Sequence, residues 1–552
     1  MKFLSKEKSV LCLAFVFLAL NFVSPVSAQQ TTAPPLRERI APAQTPTPKS
    51  SPTITPTPTA TPPAASQAVT SQRVQSLPEL QSQIRSVLLK PQLLRAQVGV
   101  KVVSLDSGKT IFDQNSEKYF MPASNMKNFT VAAALDRLSP TFRFATSAYA
   151  STQPDSNGTI RGDLIVYGRG DPLISTVPQN GAAVSTLDEL AARIAASGVR
   201  RIEGNLVGDE SYFSGDPVQV TWEWDDLQWE SGAEVSALSI NDNLVRLQIA
   251  PGSNAGAPCV VTITPANQLF TIINLTQTGA AGTKQELEVH KRLGTNVLEI
   301  RGTMPLGGKV WANEITVAKP AELFVALLKN ALASKGVIVT GQTRAIDAKA
   351  RKITPLDLAK MVEIARYDSP ILSFIAAKTM KPSQNTYTEL LLRTLGETVG
   401  DKSDLKQNSS QRGIAVVQKF LADAEIAPGS VVQWDGSGLS RHNLITPSAA
   451  TQLYVFMNRH RYASSWRESL TIAGVDGTLQ NRFKNTIAAG NVRGKTGTID
   501  QVSALSGYLT TSAGEQVAFS VIVNALPAGS AAQRAVIDEI VLALANFNGK
   551  AN

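Results

Sequence analysis

The sequence is poor in the residues on which most hydrolases and metalloenzymes depend. It holds three histidines, His290, His442 and His460, and none stands at metal-ligand spacing from another His or a Cys, which argues against zinc chemistry or any other metal site. No Gly-x-Ser-x-Gly elbow occurs, so a histidine-based serine hydrolase lacks its nucleophile turn. No Walker loop and no Gly-x-Gly-x-x-Gly turn between a strand and a helix occurs either, and nothing calls for a nucleotide or another cofactor. There are two cysteines, and Cys12 lies within the first 28 residues. If that segment is removed, Cys259 is left alone, and the fold must rely on its core rather than on a disulfide. Charge is thin as well: 18% of residues are charged, and of the net +9, five charges lie in residues 1–75, which leaves +4 over residues 76–552. That excess is too weak to argue for a nucleic-acid partner.

Apolar material is ample. The 552 residues, 43% of them hydrophobic, exceed one compact domain and predict at least two folded units. Residues 1–28 have a lysine-bearing start, an apolar run over 10–23 and a small-residue exit at Val26, Ser27 and Ala28, the layout of a secretory signal. The run is about 14 residues against the roughly 20 that cross a bilayer. We therefore expect a signal peptide, an exported, periplasmic protein, and no stable transmembrane helix once the signal is gone. Residues 31–66 contain ten of the 30 prolines, interleaved with Thr, Ala and Ser, and residues 29–75 read as an extended Pro/Thr-rich linker.

Beyond the linker, Val98, Val100 and Val102 alternate before a turn at Asp106, Ser107, Gly108 and Lys109, the pattern of a hairpin. A helix is predicted to start at Ser124, with Met126, Phe129, Ala133 and Leu138 as its apolar stripe. Residues 159–317 read as short strands broken by Gly, Pro and Asn. Helical patterns return over 321–335, 370–396 and 411–421; two strands are predicted over 502–511 and 516–524, and a closing helix over 531–547. Helix-rich ends around a β-rich middle predict an α/β (α+β) domain, residues 76–150 and 358–552, split by a large insertion over 151–357.

The residues able to do chemistry are few. Ser124-Asn125-Met126-Lys127 places a hydroxyl and an amine one helical turn apart on one face, close enough for an unprotonated lysine to take the serine proton. The same spacing occurs at Ser5 to Lys8 and Ser403 to Lys406, but of the three only Ser124 sits between a strand pair and an apolar helix. Lys381-Pro382-Ser383-Gln384-Asn385 adds a second hydroxyl and an amide ahead of a helix. Lys495-Thr496-Gly497-Thr498 adds a cation, two hydroxyls and a glycine before the last strands.

In this order, Ser-x-x-Lys, Ser-x-Asn and Lys-Thr-Gly form the signature of the penicillin-recognising serine enzymes. The chain most resembles their class C low-molecular-weight branch, the D-Ala-D-Ala carboxypeptidase/endopeptidase family S13. The likeness extends to Gly162-Asp163-Leu164 through Gly170-Asp171-Pro172, Trp224-Asp225-Asp226-Leu227, Ser236-Ala237-Leu238-Ser239-Ile240-Asn241, Asp435-Gly436-Ser437-Gly438-Leu439-Ser440-Arg441 and Ala473-Gly474-Val475-Asp476-Gly477-Thr478-Leu479. It departs at Gln384, where many relatives have Asp. The resemblance implies a β-lactamase/transpeptidase-like catalytic domain, an antiparallel sheet flanked by helices. It also implies that the 255 residues between Lys127 and Ser383 accommodate two extra domains, one nested in the other.

The resemblance further implies the roles. Ser124 attacks the carbonyl between two D-alanines of a peptidoglycan stem peptide, Lys127 is its base once burial and a neighbouring cation, Lys495, lower its pKa, and Ser383 passes a proton to the leaving amine. Asn385 holds the substrate amide; Lys495, Thr496 and Thr498 take the terminal carboxylate, and Gly497 lets the strand approach closely. β-Lactams would acylate the same serine. The oxyanion would rest on the backbone N–H groups of Ser124 and Thr498. His442 is read as holding the 435–443 loop, and Trp222-Glu223-Trp224 as core or interdomain packing, with a sugar-stacking surface as the alternative. A β-lactamase and a non-catalytic wall-binding protein are the competing readings of the whole chain.

Overall fold

The protein is described by a computed structural model that covers residues 76–551. The signal and linker of the sequence reading, residues 1–28 and 29–75, lie outside the described residues.

Its first sheet is six-stranded and antiparallel throughout, in the order Thr471–Ile472, Arg493–Ile499, Val502–Thr510, Gln516–Asn524, Gln97–Ser104 and Thr110–Gln114. The two ends of the described chain thus meet in its middle, with Val100 opposite Val521. Gln516–Asn524 is apolar between its end residues at every position but Ser520 because both of its faces are covered. Val517, Phe519, Val521 and Val523 pack with Leu80, Ile84, Ile540 and Leu544 from helices Leu77–Leu88 and Gly529–Asn546. Ala518 and Ile522 face the other way, onto Phe129, Leu135 and Tyr454 of helices Lys127–Leu138 and Pro447–Arg459. Lys127–Leu138 is buried on nearly every side, as expected of a helix enclosed by Leu372–Met380, Asn385–Thr398 and Ser409–Asp423 as well as by the sheet.

A second sheet of five strands has the order Thr343–Ile346, Leu206–Asp209, Leu164–Gly168, Ala145–Ala150 and Val362–Asp368. Its three strands Leu164–Gly168, Leu206–Asp209 and Thr343–Ile346 are parallel, connected through helices Thr186–Ala196 and Pro320–Ser334. Between these elements, Leu244–Ala250 to Trp311–Thr316 form two three-stranded sheets. The molecule is therefore mixed α/β, an antiparallel sheet flanked by helices with a sheet-containing insertion.

Three expectations need correction. The middle of the chain is not purely β: Thr186–Ala196 is a helix capped by the Ser185 hydroxyl, with Leu187, Leu190, Ala191 and Ile194 as its buried face, a helical spacing that the surrounding strand-like runs obscure. Residues 370–396 are two helices, because Lys381–Gln384 turns between them, with Ser383 at φ +72. Ser124 does not cap its helix. It lies in a 3-10 turn, Ala123–Met126, that precedes Lys127–Leu138.

Candidate active site

The 3-10 turn that carries Ser124 is set by its neighbours. Ala123 adopts φ +47, an unfavourable backbone for a residue with a Cβ. The Asn125 amide donates to the Lys495 carbonyl at 2.9 Å, tying the turn to strand Arg493–Ile499. Gly497 on that strand is required: a Cβ there would come within 2.4 Å of the Pro122 carbonyl oxygen and 3.2 Å of the Ser124 nitrogen.

The spacing of three brings Lys127 Nζ to 2.9 Å from Ser124 Oγ. Nζ has two further partners, Asn385 Oδ1 at 2.5 Å and the Ser437 carbonyl at 2.8 Å. A neutral amine has two N–H donors and one lone pair. Two acceptors and one hydroxyl therefore match it, with the lone pair left for the Ser124 proton. Burial lowers the Lys127 pKa to about 7, against the opposing pull of the Asp435 and Glu389 carboxyls. Lys495 is also fully buried, and burial followed by the Lys127 charge holds it well below the usual lysine range. Of the two expected causes, burial is the one that acts at Lys127, and the repulsion between the two amines appears at Lys495.

Lys495 Nζ donates to Ser383 Oγ at 2.8 Å and to the Thr496 carbonyl at 2.9 Å. Thr496 Oγ1 pairs with Thr478 Oγ1 at 2.7 Å. Ser124, Ser383, Thr478, Thr496 and Thr498 line one cleft of about 330 Å³, together with Arg482 and Arg534. Asn385 stands behind it at the head of Asn385–Thr398: its Nδ2 donates to the Ser231 carbonyl at 2.9 Å and its Oδ1 accepts from Lys127, so its free capacity is one N–H on Nδ2 and one lone pair on Oδ1. Gln384, the departure from the common pattern, points away from the cleft and donates to Glu230 Oε1 at 3.0 Å.

Several supporting groups escaped the sequence reading. The 435–443 loop that presents the Ser437 carbonyl is held from below by Glu389, whose Oε1 accepts the N–H groups of Gly436 and Ser437 at 2.9 and 2.8 Å. Burial, reinforced by the Asp435 charge, pushes the Glu389 carboxyl up. Asp435 accepts from the Gly438 and Ser440 N–H groups, from Asn443 Nδ2 and from Trp222 Nε1. Asn443, rather than His442, is the clasp of this loop: its Oδ1 also accepts from the Trp434 N–H at 2.8 Å, while the His442 ring sits edge-on to Trp434 at 5.3 Å. Trp222 is buried and Trp224 is 65% exposed, so the Trp222-Glu223-Trp224 cluster is divided between packing and surface.

Among the described residues one carboxylate group, Glu223, Asp225 and Asp226, is close enough to hold a cation. Arg441 already supplies positive charge there, 3.0 Å from Glu223 and 2.6 Å from Asp226. No described helix is long and apolar enough to cross a membrane.

Comparison with known proteins bears on the family and the fold. Residues 80–547 match the model of the D-Ala-D-Ala carboxypeptidase 3 (S13) family. The chain is 33% identical over 497 residues to a D-alanyl-D-alanine carboxypeptidase of Actinomadura sp., covering 88% of each protein. It is 27% identical over 440 residues to the D-alanyl-D-alanine carboxypeptidase DacB of Haemophilus influenzae, covering 79% of this chain and 86% of that one. The crystal structure of penicillin binding protein 4 from the same organism superposes with a TM-score of 0.69 at 25% identity, over 83% of this chain and 97% of that one.

Proposed function

The chain belongs to the D-Ala-D-Ala carboxypeptidase 3 (S13) family, and from that premise we propose that it is an exported serine D-Ala-D-Ala carboxypeptidase of the cell envelope that also cleaves cross-linked peptidoglycan stems. The observation that carries the reading is the Lys127 amine, buried, brought to a pKa of about 7 and supplied with acceptors for two protons, 2.9 Å from the Ser124 hydroxyl. A serine hydroxyl needs such a base to act as a nucleophile near neutral pH.

In this mechanism Lys127 Nζ takes the Ser124 proton as Oγ bonds to the D-alanyl carbonyl carbon. The oxyanion is met by the N–H groups of Ser124 and Thr498, a contribution of the kind in which one lost donor costs about 10² to 10³ in rate. As the tetrahedral species collapses, the carbon–nitrogen bond breaks and Ser383, bonded to Lys495, delivers a proton to the departing amine. The hydroxyls of Thr496 and Thr498 hold the terminal carboxylate. Burial holds the Lys495 pKa well below the usual lysine range, and the arriving carboxylate pulls it back up, since an anion favours the charged form. D-Alanine leaves, and water cleaves the Ser124 ester. β-Lactams enter the same path and stop at the ester.

The secretory layout of residues 1–28 supports export, and the linker 29–75 supports a tethered catalytic part. The sequence reading gives 76–150 and 358–552 to that part and 151–357 to two inserted domains. The pairing of Ala145–Ala150 and Val362–Asp368 with the second sheet favours joints just outside those strands.

The test uses the purified chain, a labelled penicillin and a muropeptide ending in D-Ala-D-Ala. Covalent labelling and D-alanine release, both abolished by Ser124→Ala, are expected. Labelling that survives Ser124→Ala refutes the nucleophile. Labelling without D-alanine release favours a wall-binding role, and rapid turnover of the penicillin favours a β-lactamase.

A further inference from the structure

Two guanidinium groups line the cleft without any part in the mechanism above. Arg482 follows the 3-10 turn Gly477–Leu479, and Arg534 lies in the second turn of helix Gly529–Asn546. Asp538, one turn beyond Arg534, fixes Arg482: its Oδ1 accepts from Arg482 Nε at 3.1 Å and from Nη2 as well. The Phe483 ring, 5.3 Å from the Arg482 guanidinium carbon, fills another side. Arg482 is therefore positioned and neutralised. Arg534 has no ion pair or hydrogen bond among the described residues, although it is half-buried. Two cations against one carboxylate leave one uncompensated positive charge in a cleft whose other walls are hydroxyls.

That charge shares the cleft with Thr496 and Thr498, where the proposed mechanism, on which this inference rests, seats the carboxylate of the leaving residue. D-Alanine has one carboxylate, so its release leaves Arg534 with nothing to bind. We propose that Arg534 binds a second carboxylate carried by the leaving group, and that the cleft is built to release acidic D-residues and the peptides that carry them as well as D-alanine. The bond changes are those already given. Ser124 Oγ joins the D-alanyl carbonyl carbon, the carbon–nitrogen bond breaks, the nitrogen gains one proton, and the amine departs with both carboxylates intact before water opens the ester. Arg534 touches no reacting atom. It acts as a specificity residue, and a guanidinium binds a carboxylate through paired N–H donors better than an ammonium does.

The probes are acylated D-alanyl-D-alanine and acylated D-alanyl-D-glutamate, which differ by one CH2–COO⁻ group in the leaving residue. Arg534→Gln should lower the ratio of kcat/KM for D-glutamate release to that for D-alanine release about tenfold, the size of a lost hydrogen bond between charged groups, and should do so through KM. Arg534→Lys should keep part of the ratio. Raising the salt concentration should lower the ratio of the unaltered protein in the same direction, a measurement that needs no variant. Penicillin acylation, in which no leaving amine departs, reports whether each variant is folded around Ser124. A ratio that Arg534→Gln leaves unchanged overturns the proposal, and so does D-alanine release by the unaltered protein with no D-glutamate release. Release of neither amino acid would instead refute the hydrolase reading beneath it.

Discussion

Trp222 and Asp435 are joined by a 2.9 Å hydrogen bond from indole Nε1 to carboxylate Oδ2, across 213 residues of sequence. The first belongs to the proposed insertion and the second to the loop whose Ser437 carbonyl accepts a hydrogen bond from Lys127 Nζ. Residue Trp222 is thereby part of the support of the loop that holds the Lys127 amine.

Replacing that donor tests the connection. Trp222→Phe keeps most of the apolar contact but leaves one lone pair of a fully buried carboxylate unmet, at a cost of about 1 to 3 kcal/mol. We expect a lower denaturation midpoint in urea and slower penicillin acylation. Unaltered acylation would show that the loop holds its shape without the insertion.

The Lys127 amine sets a pH dependence. Its base form is the neutral amine, so acylation should rise with pH through about 7 and then level off. Between that value and the ordinary lysine range the unfolded chain binds more protons than the folded one. The contribution of this group to stability therefore grows as pH rises across that window and is lost as pH falls toward 7. Lys127→Met should abolish the rising limb of acylation along with nearly all of its rate, and should flatten the stability change over the same window.

Glu389 should move that limb without being a reacting group. Glu389→Gln keeps an oxygen for the Gly436 and Ser437 N–H groups but removes a charge that raises the Lys127 pKa. The rise in acylation should shift to lower pH. Glu389→Ala removes the loop's support as well and should lower the rate at every pH. The same profile in Glu389→Gln and the unaltered protein would rule out electrostatic communication between the two groups.

Gly497→Ala should be severe. Its Cβ would meet the Pro122 carbonyl at 2.4 Å, a backbone atom that cannot swing aside as a side chain would. Either the strand or the Ser124 turn must shift, and displacements near 1 Å at a reacting centre cost about 10² in rate. Acylation kinetics together with circular dichroism would separate a displaced nucleophile from a lost fold.

Much of this was legible in the chain. The alternation at Val98, Val100 and Val102 reported a strand, and the paired runs near the C-terminus reported the hairpin Val502–Thr510 and Gln516–Asn524, because period 2 is a local property. Ser124 and Lys127 were legible for the same reason: a separation of three across a 3-10 turn into the helix that follows it brings them together. The helix Thr186–Ala196 carried its stripe in plain view but lay among strand-like neighbours. The break at Lys381–Gln384 was hidden because Ser383 adopts a left-handed backbone that only its surroundings enforce.

The sequence by itself determined which groups could act: one serine at lysine spacing, a second hydroxyl ahead of an amide, and a Lys-Thr-Gly strand, in an order that names the family. Only the tertiary structure decided that Lys127 is a buried amine rather than a surface cation, because its pKa depends on burial and on the Asp435 and Glu389 carboxyls, contributed by distant segments. The same holds for Trp222 beneath the site and for Arg482 and Arg534 at its edge. Desolvation and cross-chain charge are sums over neighbours in space, and no spacing along the chain encodes them.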